Sequence, residues 1–96
     1  MIHLKENEVN NLLGLLDDIV SWRTGWSKPI ENSENKILKK LDGYVVKCET
    51  DGDHKNDGQM VEYTFTLKSP KGEISKIETD MCLAVGWNYY NDLTIK

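Results

Sequence analysis

The sequence predicts an α+β fold: one or two N-terminal helices packed on an antiparallel β-meander of three to five strands. Three observations carry this expectation. Apolar residues recur at helical spacing before Trp22, the period changes to two after Gly43, and turn-forming residues punctuate the second half.

The stretch "LKENEVNNLLGLLDDIVSW" predicts an amphipathic helix, with Val9, Leu12, Leu13, Leu16 and Val20 on one face. Gly14 lies inside it, at a cost of roughly 1 kcal/mol relative to Ala, and suggests close approach by a strand. Gly25 suits a C-terminal cap near Thr24. "GWSKPIENSEN" reads as a connector broken by Pro29. For "SENKILKKLDG" a short helix with Ser33 as N-cap competes with a hairpin turn at Asp42-Gly43. Helical spacing accounts for Ile37, Leu38 and Leu41 together, so helix is favoured.

"YVVKCET" and "VEYTFTLK" alternate as strands, "SPKGE" is a tight turn, and "EISKIET" returns antiparallel. "DMCLAVGWNYYNDLTIK" reads as a strand pair or as a helix after a Thr79/Asp80 cap; the alternation of Met81, Leu83, Val85, Trp87 and Tyr89 favours strand, bent at Gly86. No internal repeat or low-complexity tract is apparent.

Ninety-six residues make one domain, residues 1–96. With 12 basic against 16 acidic residues the net charge is −4, and no basic track supports direct nucleic-acid binding. The start "MIHLKENEVNN" lacks a signal-peptide pattern, and "LLGLLDDIV" is too short and too charged to span a membrane. Two cysteines, Cys48 and Cys82, fit a reducing compartment, so a cytoplasmic protein is expected. Lysine supplies 11 of the basic residues and there are eight Asn, a bias suggesting an AT-rich bacterial or phage genome.

The stretch most suggestive of chemistry is "ETDGDHKNDGQMVE". Numbered from Asp51, it places Asp51, Asp53 and Glu62 where an EF-hand loop has ligands. Lys55 and Asn56 then occupy the positions of a ligand and the turn glycine, Gly58 arrives two residues late, and the flanks alternate like strands. A hydrated hairpin loop is the better reading, and no metal or cofactor is expected. Cys48, His54 and the loop aspartates form no specific catalytic pattern, and no CxxC, HxxxH or phosphate-binding glycine loop occurs. No catalytic residue is assigned.

Aromatics are abundant. Core packing explains Trp22, Trp87 and Tyr89 better than it explains Trp26, in a polar connector, or Tyr90, out of phase with Tyr89; one or two are expected at the surface. The leading expectation is a small non-enzymatic module that binds and sterically occludes a protein partner, in the manner of inhibitors, immunity proteins or phage accessory factors. Trp26, Trp87 and Tyr90 would anchor it, with Asp51, Asp53 and Asp57 facing a basic patch. A small-molecule or glycan module using the aromatics is the alternative. The chain is expected to be a monomer or homodimer, with pairing of exposed strand edges one route to association.

Overall fold

The computed structural model describes residues 1–20, 25–51, 60–82 and 84–96. The described elements run β1 (Ile2–Leu4), α1 (Glu6–Val20), β2 (Ser27–Pro29), α2 (Lys36–Lys39), β3 (Val45–Asp51), β4 (Met60–Lys68), β5 (Ile74–Cys82), β6 (Gly86–Asn88) and β7 (Leu93–Ile95). Strands β2 to β6 form one antiparallel sheet in sequence order, a meander, and β1 pairs with β7 in a separate ladder. The fold is α+β, as the change of period predicts.

Helix α1 begins where charge and hydrogen bonding favour it. The Lys5 amide donates to Glu8 Oε1 at 3.1 Å and the Glu6 amide to Asp92 Oδ1 at 3.2 Å, so carboxylates satisfy N–H groups at the positive end of the helix. Val9, Leu12, Leu13, Leu16 and Val20 are fully buried, the five residues their spacing selects. They pack on the inward residues of the sheet: Val46 and Cys48 from β3, Val61, Tyr63, Phe65 and Leu67 from β4, and Ile77 from β5. The Trp87 ring meets Tyr63 edge-on at 4.7 Å and Phe65 at 5.7 Å between centroids.

Gly14 faces the Trp87 side chain of β6 rather than a strand backbone, and the packing there does not require glycine. A Cβ there would sit 3.6 Å from Trp87 Nε1, an ordinary contact.

Several expectations are corrected. The connector contains an edge strand, β2, in which Pro29 is tolerated because an edge position asks for no outward N–H bond. All three β2 residues are exposed, so no alternation announced it. The N-cap of α2 is Asn35, not Ser33: Asn35 Oδ1 accepts from the Ile37 and Leu38 amides, while Ser33 Oγ accepts from the Asn35 amide. Gly43 then turns the chain with φ of 85°, a region costly for residues with a Cβ. The N-terminal segment is tied down, with His3 opposite Thr94 and its ring nitrogen 3.0 Å from Thr94 Oγ1.

The last apolar stretch takes the strand-pair alternative, divided before Gly86 rather than merely bent there. β5 continues to Cys82, the chain turns through Val85, and β6 returns from Gly86, pairing Met81 with Trp87. Val85 is 80% exposed at that turn. Trp22, the helix end at Thr24, Leu83 and the central loop with Asp53, His54 and Asp57 lie outside the described residues.

Asp17 breaks the apolar rule of α1. It is only 4% exposed and its Oδ1 has no hydrogen-bond partner among the described residues. Burial, aided by the neighbouring charge of Asp18, pushes its carboxyl up to about 6 from the ordinary 3.8. The folded protein therefore holds this proton more tightly than the unfolded chain. The contribution to stability is fully present below pH 3.8 and is lost as pH rises through about 6.

Two predictions follow from the core. Asp17→Asn removes a buried charge worth on the order of 2–3 kcal/mol above pH 7; thermal melts should show a gain of several degrees at pH 7.5 that shrinks towards pH 4. An equal loss at both pH values would contradict it. Gly14→Ala should raise stability by about 0.5–1 kcal/mol in urea unfolding, since the helix gains and Trp87 leaves room. A loss would mean that the indole cannot accept the methyl.

Candidate functional site

Helix α1 covers one side of the sheet, and strand alternation sends the remaining side chains to the other. β3 places Val45, Lys47, Glu49 and Asp51 there; β4 places Glu62, Thr64, Thr66 and Lys68; β5 places Ile74, Lys76, Glu78 and Asp80. Register aligns them in rows. Lys47, Thr66 and Lys76 stand abreast, then Glu49, Thr64 and Glu78, then Asp51, Glu62, Asp80 and Asn88. This open face is banded: five carboxylates fill two adjacent rows at one end, and Lys47, Lys68 and Lys76 occupy the other.

The banding has a simple origin. Lys-Cys-Glu-Thr-Asp at 47–51 and Lys-Ile-Glu-Thr-Asp at 76–80 are near-identical, so the chain does contain a short repeat, contrary to the expectation of none. Both copies run in the same direction because β4 lies antiparallel between them, and they are in register. Within each copy Cys48 or Ile77 turns to the core while Lys, Glu and Asp face out. Lys47 Nζ lies 3.2 Å from Glu49 Oε1, along the strand rather than across it.

A groove of about 560 Å³ runs along the acidic end, with Glu62, Thr64, Glu78, Asp80, Asn88 and Tyr90 in its lining. One wall is the segment after β6, held by a two-way pairing with α1. The Asn10 amide donates to the Tyr89 carbonyl at 3.0 Å, and the Tyr89 amide donates to Asn10 Oδ1 at 3.1 Å. Thr79 Oγ1 also donates to the Asn88 carbonyl at 2.8 Å. Tyr90 is left 72% exposed at the rim, its hydroxyl donating to Asn88 Oδ1 at 3.3 Å.

The six residues singled out from sequence do not form one patch. Tyr90 and Asp51 stand at the same acidic end. Trp26 is 37% exposed beside β2, with the Lys28 ammonium 5.7 Å from its ring centroid. β2 and β6 are opposite edges of the sheet, roughly 19 Å apart at about 4.8 Å per strand. Trp87 is half-buried in the aromatic cluster under Gly14, and Asp53 and Asp57 lie outside the described residues. Glu49, Glu78 and Asp80 were not singled out, and Glu62 was weighed only as an EF-hand ligand; the repeated Lys-x-Glu-Thr-Asp was the signal for the other three.

Among the described residues no three His, Cys, Asp or Glu side chains are grouped to hold a metal ion. The carboxylates are spread over the face and match a partner with several separated cations better than a point charge. Cys48 is fully buried, and burial, then the charges of Asp17 and Glu49, push its thiol up to about 12, so it is poorly suited to act as a nucleophile. No described helix is long and apolar enough to cross a membrane. Comparison of this chain with protein-family models, curated proteins and solved structures gives no match.

Asn10→Ala should release the groove wall. Loss of both hydrogen bonds is expected to cost about 1–3 kcal/mol and to speed hydrogen exchange at the Tyr89 amide at least about tenfold. Unchanged exchange would show that other contacts hold the segment.

Proposed function

We propose that this chain is a small non-enzymatic module that binds a protein partner through the acidic end of its open sheet face and acts by covering a basic surface on it. The observation that carries the reading is the two-row carboxylate band beside the groove and its exposed Tyr90. A tyrosine beside carboxylates suits the side chains of Lys and Arg, whose stems pack on a ring while their charges meet acid. The partner would therefore present a lysine- or arginine-rich patch. Size and the lack of a catalytic pattern favour the inhibitor, immunity or phage-accessory class, and the two cysteines favour a cytoplasmic setting.

A second reading draws on the same groove, whose volume and tyrosine suit a small polar ligand such as a sugar residue. Thermal stabilisation by members of a glycan or metabolite library would favour it.

The deciding experiment compares capture from bacterial lysate by the wild type and by a Glu62→Lys/Asp80→Lys/Tyr90→Ala variant with an unchanged circular-dichroism spectrum. The expected result is one enriched protein with a basic surface. In purified form it should bind the wild type with salt-sensitive affinity and the variant at least about tenfold more weakly. No capture, or equal binding to both, would end this reading.

A further inference from the structure

We propose that the open face is complementary to itself and pairs two copies of this chain in a two-fold, face-to-face dimer. On a solvated sheet, opposite charges are favoured directly across neighbouring strands. Here every charged row is of one sign: Lys47 and Lys76 flank Thr66, Glu49 and Glu78 flank Thr64, and Asp51, Glu62 and Asp80 stand side by side. The signs change along the strands instead, once, between the Thr66 and Thr64 rows. That order forgoes direct cross-strand pairing, leaves Lys47 to meet Glu49 along its own strand, and is also the order that meets an inverted copy of itself.

Two rotations could stack the face on itself with aligned strands. A two-fold axis parallel to the strands places lysine rows over lysine rows and is excluded by charge. An axis across the strands, passing between the Thr64 and Thr66 rows, inverts the band. It sets Lys47 over Glu49 of the second copy, Lys76 over Glu78 and Lys68 over Glu62, each contact made twice by symmetry, while Asp51 and Asp80 fall over Val45 and Ile74 at the rim. Thr64 and Thr66, short side chains, meet at the centre and let the sheets approach, while the longer Lys and Glu reach across around them. Packed sheets keep their strands within about 30° of each other, which leaves these central pairs in reach.

The size of the face sets the strength. Strands about 4.8 Å apart and rows about 7 Å apart give a footprint of roughly 500 Å² per copy. About 1,000 Å² for the pair is near the lower limit for specific association, so the dimer is dissociable. Self-pairing uses the carboxylates that a basic partner would contact, so the two would compete. The inference does not depend on that partner, because purified protein alone tests it.

Sedimentation equilibrium over roughly 10 µM to 1 mM should be run on the wild type, on Lys47→Glu/Lys76→Glu and on Glu49→Lys/Glu78→Lys, with melting curves to verify folding. The wild type should show a concentration-dependent dimer. Each variant alone should remain monomeric, because all four central charges then share one sign. An equimolar mixture of the two should restore a dimer tighter than the wild type. A Glu31→Lys/Glu34→Lys variant, altered at exposed positions between β2 and α2 and outside the face, should dimerise like the wild type and gain no pairing with Lys47→Glu/Lys76→Glu. A wild type that stays monomeric throughout, a dimer untouched by either reversal, or variants that fail to pair with each other would overturn the inference.

Discussion

Helix α1 is packed against only one side of the five-stranded sheet, and this one-sided burial decides where every strand side chain goes. With Val61, Tyr63, Phe65 and Leu67 committed to the core, Glu62, Thr64, Thr66 and Lys68 have no other place than the open side. A slip of one residue would drive those polar groups inward and expose the aromatic cluster. Register is therefore held by the hydrophobic effect on one face, and the arrangement of charge on the other is its by-product. The open face can carry an unfavourable charge order because its stability is supplied from behind.

The Asn10 clamp extends the same logic to the edge of the sheet. β6 is only three residues long and would be a weak end to a ladder. Trp87 seats it from below through Tyr63 and Phe65, and Asn10 fixes the next residue from the helix. Core and hydrogen bonding together hold Tyr90 outside, where it lines the groove without contributing to the interior.

How much of this could be read from the sequence follows from the length over which each signal repeats. α1 spans four turns, so five apolar positions pick out its buried face without ambiguity. β4 and β5 alternate over nine residues each. β1 and β2 have three residues apiece, too few for a period, and β1 pairs with a segment at the far end of the chain. Ser33 and Asn35 are both good capping residues, and only the local turn chose between them. The acidic rows are the instructive case. Each Lys-x-Glu-Thr-Asp copy is plain in the sequence, yet the copies form rows only because β4 lies between them in register, which a single strand's pattern does not contain.

The ladder between β1 and β7 joins residues that are almost a whole chain apart, such as His3 and Thr94. Its closure entropy is the largest any contact in the molecule must overcome, and it is recovered only once the intervening sheet has shortened the path. The ends are thus expected to zip last, after the meander and α1 have formed. Once zipped, the ladder ties residues 2–4 directly to residues 93–95. Neither β1 nor β7 can peel away alone without also uncovering Leu4 and Ile95, so the two strands share one cooperative fate.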